Sequence, residues 1–302
     1  MIAERIALEL GLDLEYVTKV AATASHRYKS YTIPKRTGGT RTIHHPSREL
    51  KLFQGWLIDN ILDRLPVHEA ASAYRNGASI RKHAALHVGQ NYLLKVDFEN
   101  FFPSITQSDV AHLLGKGVLD KVGLELTIRD MEFVRRIVCR NGFLTIGAPS
   151  SPILSNAVMY DFDNYWYRET EGVNVRYSRY ADDLYFSTNQ RGVLSDLLQR
   201  LRIDIRRRSS PKLSINDAKT AFTSRKRKRL VTGLVLTADK RISLGRQCKR
   251  RIRSLVYKNI TGGLSDEQRK HLRGFIAYAG SVEPTFVESI RRKYGSIVID
   301  SL

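Results

Sequence analysis

An Asp-Asp pair set between two short apolar stretches places the strongest limit on the fold of this chain. In residues 175–188, apolar and polar side chains alternate on either side of a centre that holds Asp182 and Asp183, which predicts two strands joined by a tight turn. Upstream, residues 92–97 form a short apolar run that ends at Asp97, and we expect a buried strand there. Three carboxylates are therefore available to converge.

Three converging carboxylates have a specific chemical use. Two divalent ions about 3.5–4 Å apart can activate an attacking hydroxyl and stabilise a leaving pyrophosphate. Hard oxygen ligands of this type suit magnesium. Taken alone, an Asp-Asp pair in a turn is more often structural, so the flanking sequence has to decide between the two interpretations.

Positive charge is concentrated in the last third of the chain. The sequence holds 50 Lys and Arg against 30 Asp and Glu, a formal net charge of +20, of which +17 lies in residues 201–302. Each basic run alone could be a solvated face. Three runs in one region favour a polyanionic partner, because neutralising phosphates releases counterions; the runs are Arg206–Arg208, Arg225–Arg229 and Lys249–Arg253.

Length and composition narrow the class of protein. At 302 residues the chain is long enough for two or three lobes. No stretch reaches the roughly 18 uninterrupted apolar residues of a membrane helix, and the N-terminal residues do not resemble a secretory signal, so we expect a soluble, cytoplasmic protein with no membrane partner. Cys139 and Cys248 are too few for a disulfide framework or a cysteine zinc site, and we expect both to be reduced.

Hydrophobic periodicity predicts the remaining secondary structure. We expect two short helices in the first 30 residues, a basic β-hairpin over residues 31–43, and helices over residues 49–65, 152–166 and 194–207. We also expect a helix from residue 107, a strand over 213–222, a hairpin over 230–242 and three helices from residue 244 onward.

Three segments resemble the motifs of the reverse transcriptase superfamily, in the order that the family has them. Tyr180–Asp183, which is Tyr-Ala-Asp-Asp, matches the motif of the family's palm hairpin, Val96–Ile105 resembles its first catalytic segment, and Gly147–Asn156 resembles its nucleotide-and-template segment. Pro34–Arg41 looks like the fingers hairpin that grips the incoming triphosphate. Lys219 lies where the family keeps a lysine after the catalytic hairpin.

Two further segments resemble bacterial retron reverse transcriptases. His83–His87 is similar to the retron Asn-Ala-x-x-His segment, with His83 where Asn is usual, and Val231–Gly233 matches the retron Val-Thr-Gly triplet. The chain departs from the superfamily at Thr145 and Ile146, where Pro-Gln is usual. Ile146 cannot donate the side-chain hydrogen bond that the glutamine offers to the nucleotide sugar.

The resemblance implies roles for residues near the acids. It implies that Asp97, Asp182 and Asp183 hold two Mg²⁺ ions, with the backbone carbonyl of Phe98 as an added ligand. It implies that the ring of Phe102 clashes with a 2′-hydroxyl and so selects deoxynucleotides. The other nucleotide-binding residues implied by the resemblance are two small residues and three cations: Gly147, Ala148, Lys35, Arg41 and Lys219.

Plainer interpretations stay open at several of these positions. Phe102 could pack in the core, while Lys35 and Arg41 could lie on a solvated hairpin tip instead of binding triphosphate oxygens. Lys219 could protonate the leaving pyrophosphate or only contact a phosphate.

The resemblance also implies contacts with the cognate RNA and with an RNA–DNA duplex, whose A-like shape is recognised through phosphates and sugars. The expected contact residues are His83, His87, Arg225, Lys226, Arg227, Lys228, Val231, Thr232, Gly233, Arg250 and Arg251. The two histidines are spaced i and i+4 on an expected helix, but no third zinc ligand is evident nearby, so zinc is rejected. Burial of both rings, or support of the fingers, is the alternative there.

These features together predict an α+β, right-hand polymerase fold. We expect fingers with N-terminal helices over residues 1–90, a palm of antiparallel strands with helices over 91–235, and a small helical thumb over 236–302. A fingers insertion is expected within the palm, near residues 115–148.

The implied activity is RNA-directed DNA polymerisation from deoxynucleoside triphosphates. The retron likeness adds a structured non-coding RNA as template, RNA-linked single-stranded DNA as product, and antiphage defence with a separate effector protein. Two other hypotheses stay open. One is another bacterial reverse transcriptase of the defence-associated, diversity-generating or intron type, and the other is a non-catalytic RNA-binding scaffold, against which the three retained acids argue.

Overall fold

Three antiparallel sheets form in the described part of the chain, residues 1–35, 38–115, 119 and 123–296 of a computed structural model. Their spatial orders are β1-β2, β4-β5-β3-β6 and β7-β8-β9, and the second is called here the central sheet. The strands are β1 (Tyr28–Pro34), β2 (Thr40–Pro46), β3 (Tyr92–Asp97), β4 (Arg176–Tyr180), β5 (Asp183–Thr188), β6 (Ala221–Ser224), β7 (Arg229–Val231), β8 (Leu234–Leu236) and β9 (Ile242–Ser243).

Helices cover both faces of the central sheet and make up most of the two ends of the chain. They are α1 (Ile2–Leu10), α2 (Leu14–Ala22), α3 (Arg48–Asn60), α4 (Ile80–His87), α5 (Gln107–Leu113), α6 (Ile128–Val138), α7 (Ser150–Val158), α8 (Tyr160–Glu171), α9 (Val193–Arg207), α10 (Gly245–Ile260), α11 (Asp266–Val282) and α12 (Pro284–Tyr294). This mixture of helices with antiparallel sheets agrees with the predicted α+β class.

The central sheet lies between two hydrophobic cores, because successive side chains of a strand point to opposite faces. On β5, Leu184 and Phe186 belong to a first core shared with α3, α8 and α9, whereas Tyr185 belongs to a second core shared with α4 and α10–α12. Phe186 packs edge-on against Trp166 of α8, with 6.0 Å between ring centroids. Burial on both faces therefore fixes the register of the strands that carry the acids.

Two elements differ from their predictions. The helix expected over 152–166 is two helices, α7 and α8, because Met159 has ψ near 2° and interrupts the helical backbone. The strand expected over 213–222 was wrong in its bounds, since β6 covers only residues 221–224. Before it, the amides of Lys219 and Thr220 both donate to the Asn216 carbonyl, at 3.2 and 3.1 Å, and form a 3-10 turn.

The expected hairpin over residues 230–242 is the three-stranded sheet β7–β9, and the three C-terminal helices are confirmed. Val231, Leu234 and Leu244 share the second core with those helices. The palm–thumb boundary expected at 235/236 thus falls inside β8, in a sheet that packs as one body with the helices after it. The expected fingers insertion near 115–148 contains residues 116–118 and 120–122, which lie outside the described residues.

Both cysteines are free thiols, Cys139 buried and Cys248 partly buried. Among the helices of the described residues, none combines the length and the apolar character needed to cross a bilayer.

A buried ion pair ties the central sheet to α8. The Arg179 guanidinium on β4 and the Asp163 carboxylate on α8 are both 0% exposed, with 2.6 Å between Nη2 and Oδ2. Arg179 Nη1 also donates to the side-chain oxygen of Asn156 and to the Ala181 carbonyl, each at 3.1 Å. Tyr177 donates its hydroxyl to Asp163 at 2.7 Å. The network satisfies a charge that would otherwise be stranded in the core.

We expect Asp163→Asn to lower the free energy of unfolding by about 3 kcal/mol or more, because it leaves the Arg179 charge buried without its counter-ion. Chemical denaturation monitored by circular dichroism measures this loss. Asp239→Asn is the matched control, since Asp239 pairs with Arg241 at the surface, where the side chains are 53% and 80% exposed, and should unfold like the parent. An Asp163→Asn variant of parental stability would contradict the prediction.

Candidate active site

The register of the central sheet brings the three acids together. Asp97 on β3 lies directly opposite Asp183 on β5, and the Phe98 amide donates to the Asp182 carbonyl at 3.0 Å. Between β4 and β5 the chain reverses through Ala181, whose φ of 56° is left-handed and costs energy for a residue with a Cβ. The bond from Arg179 to the Ala181 carbonyl holds this turn in place.

Two lysines partner the acids in this arrangement. Lys219 Nζ lies 2.8 Å from Asp97 Oδ1, and Lys95 Nζ lies 2.8 Å from Asp183 Oδ2. Within the described residues, no three His, Cys, Asp or Glu side chains are gathered as a ready-made metal cage. The backbone thus places the three acidic residues side by side, while the carboxylates of Asp97 and Asp183 are turned toward lysine ammonium groups.

The acid pair in the turn is electrostatically unsatisfied. Burial, opposed by Lys95 and reinforced by the charges of Asp182 and Asp97, raises the pKa of Asp183 to about 6. Burial also raises the pKa of Asp182. Asp183 Oδ1 is buried with no hydrogen-bond partner. Hard oxygen donors that repel one another, one of them without a partner, fit a divalent cation, so the residues present agree with the metal site implied by the sequence.

Phe98 and Phe101 form the floor beside the acids. Their rings stack with 5.9 Å between centroids, and they are only 2% and 3% exposed. Phe98 also lines the cleft above the acids, and because its ring is buried, its backbone is the part available to a ligand. Phe102 is only half-buried; its ring packs against that of Phe101, with 5.5 Å between centroids, and the residue lines the same cleft.

The cleft above the acids has a volume of about 790 Å³ and collects most of the predicted nucleotide-binding residues. Exposed Lys35 and Arg41 line it from the β1–β2 hairpin, and Asp182 and Lys219 line it from the central sheet. The hydrogen bond that Lys219 donates to Asp97 raises the pKa of the lysine ammonium, which is therefore charged. The cleft can thus offer a row of cations opposite the carboxylates.

Gly147 and Ala148 line an adjoining cavity of about 390 Å³, which they share with Phe102. The His44 amide on β2 donates to the Ile146 carbonyl at 2.8 Å, so the hairpin docks here through backbone atoms. Gly147 has φ +109°, and a Cβ built on it would lie 2.8 Å from the His44 carbonyl oxygen. Glycine is therefore required at this position by both conformation and space.

Three of the predicted nucleic-acid contacts have buried side chains. His83 and His87 on α4 are 1% and 0% exposed, and Val231 is 0% exposed. Both histidines share the Ser178 hydroxyl, and His87 also bonds to Ser187, with each distance 2.7 Å. Burial lowers the pKa of His83 to about 4. These rings are neutral packing groups behind the catalytic turn, in line with the alternative of burial.

The other predicted nucleic-acid contacts lie at the surface or near it. Residues 225–228 are exposed in the turn between β6 and β7, and Arg250 and Arg251 are exposed on α10. Thr232 is half-buried and Gly233 is exposed in the turn between β7 and β8. Their contact with nucleic acid stays a prediction.

Sequence reasoning missed several residues that shape the site. Lys95 contacts Asp183 from the neighbouring strand β3, and Tyr185 contacts it from two residues further along β5. Tyr74 lines both cavities with a left-handed φ of 56°, an unfavourable conformation of the kind often found at functional sites. Arg179 is one of two arginines in β4, and nothing in the local sequence signals that it is the buried one.

A family comparison agrees with this geometry. The model of the family described as reverse transcriptase (RNA-dependent DNA polymerase) matches residues 33–239, which contain all three acids, strand β2 of the hairpin and Lys219. The chain belongs to the reverse transcriptase family and is an RNA-directed DNA polymerase, a metal-dependent class of enzyme. The right-hand polymerase fold predicted from the motifs is confirmed by this membership.

Curated relatives place the chain among the retron reverse transcriptases. It is 39% identical to the retron Ec83 reverse transcriptase of Escherichia coli, over 92% of this chain and 90% of that protein. It is 36% identical to the retron Ec73 enzyme of the same species, over 88% and 86%, and 32% identical to the retron Mx162 enzyme of Myxococcus xanthus, over 93% and 64%. The retron resemblance seen in the sequence is thereby confirmed.

We expect Gly147→Ala to lower the melting temperature and to raise KM for deoxynucleotides, because the added Cβ meets the His44 carbonyl and pushes the hairpin away from the cleft. Thermal unfolding and steady-state incorporation measure the two effects. Gly55→Ala on α3 is the control: nothing lies within 4 Å of its Cβ, and alanine favours a helix by about 1 kcal/mol. Unchanged melting and KM in Gly147→Ala would refute the steric argument.

Proposed function

We propose that this reverse transcriptase copies a cognate structured non-coding RNA into RNA-linked single-stranded DNA, as the polymerase of an antiphage retron that acts with a separate effector protein. The convergence of Asp97, Asp182 and Asp183 beneath a cation-lined cleft carries the catalytic part of the proposal. The identity to retron enzymes along nearly the whole chain supports the retron part.

Two Mg²⁺ ions would be held by the carboxylates of Asp97, Asp182 and Asp183, with the Phe98 carbonyl as an added ligand. When bound, these ions supply Lewis-acid activation of the attacking hydroxyl and of the leaving pyrophosphate. Before the ions bind, Lys219 and Lys95 would neutralise Asp97 and Asp183 and keep these carboxylates ionised and oriented. On metal entry, Lys219 is free to turn toward the cleft.

The cations on either side of the cleft orient the triphosphate of a deoxynucleotide. Lys35 and Arg41 approach from the hairpin and Lys219 from the sheet, so their charge-assisted bonds strengthen as negative charge builds on the leaving group. Lys219 is protonated in its bond to Asp97, so it carries a proton that the pyrophosphate can take. Gly147 and Ala148 leave room for the base pair.

Phe102 serves as the sugar gate in this proposal. Its neighbour Phe101 fills the core and is 3% exposed, which leaves Phe102 as the half-buried ring that faces the cleft. A ring beneath the sugar leaves no space for a 2′-hydroxyl. Because Ile146 offers no side-chain hydrogen bond, nucleotide placement depends on this ring and on backbone groups.

The exposed cations along the C-terminal part would track the template RNA and the product duplex. Residues 225–228 and Arg250 with Arg251 offer long side chains on two surfaces of the same unit. Phosphate contacts of this kind give affinity without base specificity. The cognate RNA must therefore be selected through its folded shape or through contacts beyond these cations.

The decisive test is to purify the protein from cells that carry its neighbouring genomic DNA and to treat the bound nucleic acid with RNase and DNase separately. We expect single-stranded DNA joined to RNA, absent from the double variant Asp182→Ala, Asp183→Ala and present with Asp59→Ala, an exposed acid on α3. Phage plating on the same strains measures defence. Bound RNA without DNA from the parent protein would overturn the proposal.

We expect Phe102→Val to lower the preference for deoxynucleotides over ribonucleotides by tenfold or more, equivalent to about 1.4 kcal/mol, because the smaller side chain opens space at the 2′ position. The ratio of kcat/KM for the two substrates on a primed RNA template measures it. Phe143→Val is the matched control, since Phe143 lines the same cleft but is 44% exposed. Equal loss of preference in both variants would argue against the gate.

A further inference from the structure

Tyr185 links the catalytic turn to the C-terminal unit. It lies on β5, two residues after Asp183, and is 1% exposed. Its hydroxyl donates to Asp183 Oδ2 at 3.2 Å, and the Thr232 amide donates to the same hydroxyl at 3.2 Å. One oxygen atom therefore joins a catalytic carboxylate to the turn between β7 and β8.

The direction of the hydroxyl proton is fixed by its two partners. A tyrosine hydroxyl has one O–H to donate and lone pairs with which to accept. The Thr232 N–H can only donate and takes a lone pair, while the Asp183 oxygen can only accept. The proton must therefore point at Asp183, and the bond is charge-assisted.

The ring that carries this hydroxyl cannot move away easily. It packs edge-on against His83, with 5.0 Å between ring centroids, and lies 5.9 Å from the ring of His87. The hydrogen bonds of His83 and His87 to Ser178 hold both imidazoles in turn. The retron-like segment on α4 thus forms the wall behind Tyr185.

The two oxygens of Asp183 are consequently unequal. Oδ2 receives both the Tyr185 hydroxyl and the Lys95 ammonium, whereas Oδ1 is buried with no partner. We infer that Tyr185 is a positioning residue which fixes the rotation of the Asp183 carboxylate, so that Oδ1 is presented to a divalent ion. The inference rests on the proposed metal-binding role of Asp183.

The Thr232 amide connects the Tyr185 hydroxyl to the C-terminal unit. Thr232 has φ 47° and follows Val231, which is buried in the second core with α10–α12. The retron-like triplet therefore acts through its backbone, by orienting Tyr185. A movement of the C-terminal unit would therefore change the position of the Asp183 carboxylate through the Tyr185 hydroxyl.

Binding of Mn²⁺ to the purified protein, measured by electron paramagnetic resonance of the free ion without nucleotide, tests the inference. We expect Tyr185→Phe to weaken Mn²⁺ binding about tenfold or more, the scale of one hydrogen bond to a charged group. Tyr92→Phe is the matched control. It removes a hydroxyl that accepts from Arg191 at the end of β3 away from Asp97, and should bind Mn²⁺ like the parent.

A second measurement separates positioning from loss of structure. In nucleotide incorporation titrated with Mg²⁺, Tyr185→Phe should raise the Mg²⁺ concentration for half-maximal rate and recover most of kcat at saturation, whereas a misfolded variant loses kcat at every concentration. Parental Mn²⁺ binding by folded Tyr185→Phe would overturn the inference and leave the proposed function standing. Absence of Mn²⁺ binding by the parent protein would overturn both. Normal Mn²⁺ effects without RNA-linked DNA in cells would contradict the retron proposal alone.

Discussion

The need to hold three carboxylates together at the end of one sheet governs this structure. Like charges in a partly buried site repel and lose hydration, so each must be compensated. Here the compensation comes from two lysine ammonium groups and a tyrosine hydroxyl. Three segments of the chain supply these groups, namely β3, β5 and the 3-10 turn before β6.

The two faces of the central sheet support the three acids in different ways. One face joins the sheet to α8 through the Arg179–Asp163 pair and sets the geometry of the turn at Ala181. The other face carries Tyr185 and the serines that hold the α4 histidines. Because side chains alternate along a strand, neighbouring residues in β5 serve different cores, and Asp183 lies at the end of this strand that both cores support.

Local patterns in the sequence were enough to predict the acids, the strands that carry them, the β1–β2 hairpin and the C-terminal helices. Those features depend on periodicity and on short motifs. The Lys95–Asp183 pair, the burial of His83 and the path before β6 depend on which strands become neighbours, and periodicity within one segment does not contain that information. The motif at His83 and His87 likewise signalled an important segment but not the direction in which its side chains point.

The bond between the His44 amide and the Ile146 carbonyl has an evolutionary consequence. Docking of the hairpin at this point uses only main-chain atoms, so the identity of residue 146 can change while the joint is preserved. The departure from the usual glutamine is therefore structurally cheap, and the wall of the nucleotide pocket becomes a position where selection can retune substrate preference without rebuilding the scaffold. Gly147, one residue later, cannot change in this way, because a Cβ there would meet the His44 carbonyl. A position that tolerates substitution therefore lies next to one that does not.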